Sequence, residues 1–334
     1  MKFAARYVAV IVGALAVLMV AGYVAYWFIT AGRLRVGLEN WAATHRAEGY
    51  DIKWARATVS GFPFAFRIAL DDATLARGNP AAYSVSTPSI FGEAAPWDLT
   101  RWRIVAPRGA SGNAQGIDAT VTAQSLTGDV VLGAQDSQFE LSALHVAGAG
   151  AEAGTIAARV TLPRRPPQTH RDLGLAASVQ VFHLVLPMRV KALGDTIESF
   201  ALQGRILGAL PPGDWRQSLT AWRDSGGIVE VARGALQWGA LELETGGTLA
   251  LDANMQPMAS MTASVVDQDA LVNAAVAAGI LPKKNATLAK LVLDLIAKRG
   301  ADGRLRLTAP VTVQDGTIAI ANADIGKVPL IDWK

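Results

Sequence analysis

The chain has 334 residues, a formal net charge of +3, 51% hydrophobic side chains, 7% aromatic ones and no cysteine. Without cysteine there can be no disulfide, thiolate zinc site or cysteine nucleophile, and a small charge carried by scattered Lys and Arg excludes a nucleic-acid footprint. The length is enough to bury a core without covalent staples.

Val8 to Ile29 is an apolar run with no Asp, Glu, Lys, Arg or His. At 1.5 Å per residue it spans the ~30 Å hydrocarbon core, where only a helix can satisfy its own backbone. Tyr23, Tyr26, Trp27 and Phe28 crowd its distal end and are candidate membrane-interface residues, because amphipathic rings favour the headgroup level. The rival is a cleaved secretory signal with Lys2 and Arg6 as its basic start. A signal's apolar region is usually ~7–15 residues followed by a small-residue cleavage site. This run is longer and ends in bulky aromatics, so residues 1–30 are expected to stay as an anchor. Arg33 and Arg35 balance Lys2 and Arg6, but long domains translocate largely regardless of local charge. The expected placement is therefore a single pass through the inner membrane with the body in the periplasm. Ala5, Ala9 and Gly13 form a ridge at helical spacing, readable as a seat for another helix or as compositional chance.

Leu34, Leu38, Trp41 and His45 then share one helical face that Gly49 ends. Phe62, Phe64, Phe66, Ile68 and Leu70 alternate with Pro63, Ala65, Arg67 and Ala69, predicting a strand with one large apolar face, the candidate groove or core face. Pro63 places its start at an edge or bulge, and Asp71-Asp72 reads as a solvated turn that ends it. Alternation recurs over 101–105, 119–123, 128–132, 138–144 and 155–162, the punctuation of an antiparallel meander. Pro163-Arg164-Arg165-Pro166-Pro167 is the linker candidate, dividing a first β-rich half, 31–162, from a second, 163–334. Strand pattern resumes over 178–186, 227–231, 235–243 and 248–252. Trp54 to Val59 and Val231 to Leu236 echo each other, which fits either a duplication or coincidence in Ala-rich sequence.

Near the end the period lengthens to about 3.6. Leu271, Ala275 and Ala278 line one helix, with Asp267 or Asp269 as N-cap and Gly279 closing it. Leu288, Leu291, Val292, Leu295 and Ile296 line a second, opened by Asn285 and closed by Gly300. A helical hairpin over 267–299 follows. Strand pattern returns over 304–308, 311–313 and 317–320, with Asp315-Gly316 as a type I′ turn.

No catalytic constellation emerges. His45, His145, His170 and His183 have no metal-ligand spacing. His170 and Asp172 read as a solvated loop, and Gly148, Gly150 and Gly154 lack the spacing and the Lys of a phosphate loop. Trp97, Trp102 and Trp238 are packing residues by default, or rings that line a greasy groove or touch a bilayer.

Gly61-Phe62-Pro63-Phe64 with Phe66 and Leu70-Asp71-Asp72, then Pro96-Trp97-Asp98-Leu99 leading to Trp102 and Ala106-Pro107, resembles the bacterial envelope family called domain of unknown function 2125. Gln237-Trp238-Gly239, Gly247 to Asp252, Ala278 to Leu281, Asp315-Gly316 and Val328-Pro329-Leu330 are similar to it as well. The terminal segment departs from the family, with Ile320-Ala321-Asn322 in place of a Leu-Gly-Pro-like strand. The wider layout resembles AsmA-like envelope proteins, which implies an elongated, curled sheet with an apolar inner face and a role in lipid traffic or outer-membrane homeostasis. These are packing and turn motifs, and they transfer no catalytic residue.

The expected fold is mainly β with minor α: a large curled antiparallel sheet with a carboxy-terminal helical hairpin, preceded by one transmembrane helix. The expected function is non-enzymatic, without metal or cofactor, binding a lipid or acyl chain close to the membrane. The alternative is a scaffold that binds other envelope proteins, and an enzyme with a dispersed site comes third. If the hairpin fills the sheet, the lipid reading weakens.

Overall fold

The computed structural model describes residues 2–78, 83–114, 120–190, 193–211, 215–266, 268–277, 283–299, 304–321, 323–328 and 331. Ala119, Asp267, Ala278 to Leu281, Gly300, Asn322, Pro329 and Leu330, which carry parts of the sequence argument, lie outside them. The chain forms two compact units, Met1–Val130 and Val131–Lys334. The mainly β, antiparallel expectation holds, as do the apolar amino-terminal helix and the small carboxy-terminal helices.

The first unit opens with α1 (Lys2–Ala47), in which the apolar run and the amphipathic segment after it are one continuous helix that no proline interrupts. It ends where Glu48 donates to the Thr44 carbonyl and Gly49 turns to a φ of 89°. Trp27, Ala31 and Ala42 are buried, with Leu34 packed beside them at the same helical spacing. Trp41, expected on that face, is exposed and stacks on His45 at 4.6 Å. Ala42 takes the buried position, because a small side chain lets the helix approach the strands.

Seven strands follow: β1 (Tyr50–Lys53), β2 (Arg56–Ser60), β3 (Phe66–Arg77), β4 (Tyr83–Ala95), β5 (Asp98–Ala106), β6 (Ala110–Ala114) and β7 (Val121–Leu132). β3 is central, with β1 and β2 along one side and β4 along the other. β4 pairs with both β5 and β6, and β6 with β7.

β3 corrects the sequence reading at both ends. It begins at Phe66, not Phe62. Gly61, at a φ of 103°, turns the chain, and its carbonyl accepts from the amides of Phe64 and Ala65. Pro63 has no N–H to offer a ladder, so residues 62–64 form a turn. A Cβ on Gly61 would lie 2.6 Å from the Ala65 carbonyl oxygen, so only glycine fits. At the other end Asp71-Asp72 does not stop the strand. Asp72 adopts a φ of 50°, and pairing resumes from Ala73 opposite Thr87.

The second unit is a meander of β8 (Asp136–Gly148), β9 (Ala151–Pro163), β10 (Leu173–Val190), β11 (Gly194–Leu207), β12 (Ile228–Trp238), β13 (Leu241–Leu251) and β14 (Pro257–Val266), each paired with the next. α2 (Trp215–Asp224) sits between β11 and β12. After β14 come α3 (Gln268–Ala277), a 3-10 turn over Lys283–Asn285 and α4 (Ala286–Ile296). The ladder then resumes with β15 (Lys298–Arg299), β16 (Leu305–Gln314), β17 (Thr317–Ile320) and β18 (Ala323–Lys327).

The proline-rich stretch from Pro163 joins β9 to its own neighbour β10, inside this unit. The predicted segments 227–231 and 235–243 are divided differently: β12 runs through to Trp238, and the turn comes at Gly239, at a φ of 56°. Asp315 and Gly316 both take positive φ, 50° and 70°, and make the predicted tight turn between β16 and β17. Asn285 precedes α4 with helical dihedrals and no side-chain cap, and the helix closes at Ala297 because Lys298 and Arg299 pair with β16. Leu288 and Leu291, expected to face the protein, are exposed. In α3 the buried positions are Ala270 and Val272, with Leu271 packed against the core cluster of Leu193, Leu241, Val265 and Ala270.

Candidate functional site: an apolar sheet face in each unit

In the first unit, Phe66 is fully buried and stacks on Trp27 with centroids 5.2 Å apart and an interplanar angle of 18°. Two residues on, Ile68 and Leu70 share that side of β3. They face Ile90 and Gly92 of β4 and Trp102 and Ile104 of β5, and with Phe91 and Val130 they line an open groove of about 280 Å³. That is near the lower bound of roughly 300 Å³ for ligand pockets. Trp102 forms one wall, donating from Nε1 to the Leu99 carbonyl at 2.9 Å while also packing against the Trp27–Phe66 cluster. The groove therefore begins where α1 docks. Gly92 lies under the indole, where a Cβ would touch the Trp102 ring in ordinary van der Waals contact at 3.5 Å.

Of the five residues predicted for this face, Ile68 and Leu70 line the groove, Phe66 is its buried end, and Phe62 and Phe64 leave the face with the turn. Ile90, Gly92 and Val130 were missed by sequence reasoning. A glycine inside a strand was the available signal, because it marks a close approach.

The other predicted set docks α1 on the unit. The Tyr23 hydroxyl donates to the Pro63 carbonyl, the Tyr26 hydroxyl to the Pro96 carbonyl at 2.7 Å, and the Trp27 indole N–H to the Ala65 carbonyl at 3.1 Å. Phe28 stacks on Phe62 at 5.7 Å.

The second unit sorts its chemistry by face. Ala143, Ile156, Val181, Phe200, Leu236, Leu243, Val265 and Leu307 stand directly opposite one another across eight strands. A neighbouring row runs Leu141, Ala158, Val179, Leu202 and Gly234. Alternate residues, on the opposite face, make cross-strand ion pairs: Arg159 with Glu140, Arg205 with Glu230, Arg233 with Glu244 and Arg304 with Glu242.

The helices cover only parts of the apolar face. α2 sets Trp222 over Ile206, Val229 and Leu249, around a cavity of about 250 Å³, and α3 packs where Leu241, Leu243 and Val265 lie. Toward β8 to β11 Ala143 is buried but the large side chains stay open, with Leu141 49% and Leu202 42% exposed. The hairpin does not fill the sheet.

Among the described residues no group of three or more His, Cys, Asp or Glu could hold a metal. His45 lies beside Glu48 and His183 beside Glu198. Asp172 organises a turn, accepting from the amides of Thr169 at 2.8 Å and Gln168 at 2.9 Å, and these bonds hold its carboxyl below the usual carboxylate range. A depressed native value stabilises the turn above the unfolded pKa of about 3.9, and that support is lost as pH falls through the native value. Hydrogen exchange over 164–172, corrected for intrinsic rates, is expected to show protection at neutral pH and its loss once the pH is taken below the carboxylate's depressed native value. Asp172→Asn should show little protection at either pH.

No curated protein and no solved structure matches the chain, and the expected likeness to AsmA-like proteins finds no support. A family model does match, over residues 27–329, beginning at the tryptophan that docks α1 on β3. That match spans most of the chain, all the strands described above and both apolar faces, and the chain belongs to the bacterial family described as uncharacterized proteins conserved in bacteria, DUF2125.

Proposed function

We propose that this protein is a non-enzymatic, membrane-anchored lipid-handling protein of the bacterial envelope, held in the inner membrane by α1 with its strands in the periplasm. Its apolar sheet faces take an acyl chain or a similarly greasy ligand. The observation that carries the reading is the sorting of the sheet: apolar side chains line up in transverse rows on one face, with large ones open toward β8 to β11, while ion pairs lace the other. Apolar surface left in water costs about 25 cal/mol per Å², and large exposed patches mark interaction sites. α1 is long and apolar enough to cross a bilayer, and Trp102 is shared between its docking cluster and the groove, so a chain leaving the bilayer has a short apolar path.

The test is mass spectrometry of lipid retained by the full chain after mild extraction. Gly92→Leu, which fills the groove beside Trp102, and Leu202→Glu, which sets a charge on the open row, are each expected to reduce retained phospholipid about tenfold, or 1.4 kcal/mol. Gly92→Ala should retain the wild-type amount. A stoichiometric protein partner with no bound lipid would replace this reading with a scaffold.

A further inference from the structure

The turn after β2 and the turn between β4 and β5 form a charge-free tip: Gly61-Phe62-Pro63-Phe64-Ala65 on one side and Ala94-Ala95-Pro96-Trp97 on the other. Phe64 and Trp97 are each 75% exposed, the opposite of what such rings do in water. Their level along α1 is fixed by hydrogen bonds, since Pro63 is tied to Tyr23 and Pro96 to Tyr26. Measured from Val8 at 1.5 Å per residue, a ~30 Å hydrocarbon core ends at about Phe28. Tyr23 then lies about 7.5 Å inside that edge and Tyr26 about 3 Å inside it.

A loop can enter that zone only if its backbone polar groups have partners. Here Pro63 and Pro96 have no N–H, and their carbonyls take the two tyrosine hydroxyls. The Ala65 carbonyl takes the Trp27 indole, and the Gly61 carbonyl takes two amides of its own turn. The first charges beside the tip are paired: Asp98, directly after Trp97, with Arg101 at 3.6 Å, and Arg67 of β3 with Glu93 of β4 at 2.6 Å.

We infer that Phe62, Phe64 and Trp97, together with Phe28, form an aromatic collar that inserts into the bilayer at the headgroup–acyl boundary, so that the first unit is seated in the lipid surface and not merely tethered to it. This rests on α1 spanning the bilayer.

The chain has no cysteine, so single substitutions can carry a nitroxide without background. The full chain is placed in nanodiscs of phosphatidylcholine and phosphatidylglycerol with a label at Phe64→Cys, Trp97→Cys, Leu18→Cys or Thr74→Cys, the last being an exposed position farther along β3. Relaxation by oxygen is compared with relaxation by a water-soluble nickel chelate. Labels at 64, 97 and 18 are expected to favour oxygen severalfold over the label at 74. If 18 favours oxygen while 64 and 97 match 74, the collar is overturned and the anchor stands. If 18 also matches 74, the anchor fails and the collar with it.

Discussion

Phe66→Ala is expected to destabilise the first unit by about 3–5 kcal/mol, the usual cost of deleting a buried aromatic ring. Phe66 is 0% exposed and stacked on Trp27, which is 4% exposed, and the cavity would open between α1 and β3 with little around it able to collapse. For a unit of this size the melting temperature should fall on the order of 10 °C, read by thermal denaturation of the detergent-solubilised chain. Trp27→Ala should cost a similar amount. Combined, the two should cost less than the sum of the singles, because each alone already removes the stack. Phe66→Leu should recover most of the loss. Full additivity would mean that α1 and β3 do not depend on each other as described.

The second unit offers a test in which a penalty disappears with background. Trp222 of α2 is 3% exposed and donates from Nε1 to the Leu207 carbonyl at 2.7 Å, so Trp222→Ala should cost about 3–5 kcal/mol. Gly227 lies directly beneath the indole, and a Cβ there would come within 2.3 Å of Nε1 and Cε2. Because the hydrogen bond and the helix hold the ring in place, Gly227→Ala should cost about 1–3 kcal/mol through overpacking. In the Trp222→Ala background the same change meets empty space and should be close to neutral. Denaturant midpoints of the four proteins check this. An equal penalty in both backgrounds would show that Gly227 is needed for some reason other than the indole.

What could be read from the sequence was whatever rests on local periodicity. The apolar run of α1, the alternation of Ile68 and Leu70 and the Asp315-Gly316 turn are short-range signals, and the structure carries each of them. What could not be read depends on partners far along the chain. The segment from Phe62 looks like a strand until Tyr23 and Trp27 are known to take the carbonyls of Pro63 and Ala65. β4, β11 and β14 carry Ser, Thr, Gly and Ala between sparse large residues, so their alternation shows only once neighbours are in register. α2 sets Trp215, Leu219 and Trp222 at i, i+4 and i+7, a helical stripe that was there to be read but spans only ten residues among polar ones. The groove followed the same rule: the half on β3 was visible, while Ile90 and Gly92 came from a strand with no clear pattern.

The continuity of α1 has a mechanical consequence. A helix without a proline, docked along its distal half through Trp27, Ala31 and Ala42, is a rod with no joint between its apolar stretch and the strands. Transmembrane helices answer a change in bilayer thickness by tilting. With a jointless rod that tilt passes undiminished to the strands of the first unit. Over the roughly 21 Å from Thr30 to Thr44, a swing of 10° displaces the far end by about 4 Å. With α1 spanning a bilayer as proposed, the inclination of the groove to the lipid plane would follow membrane thickness, as a pointer follows its dial.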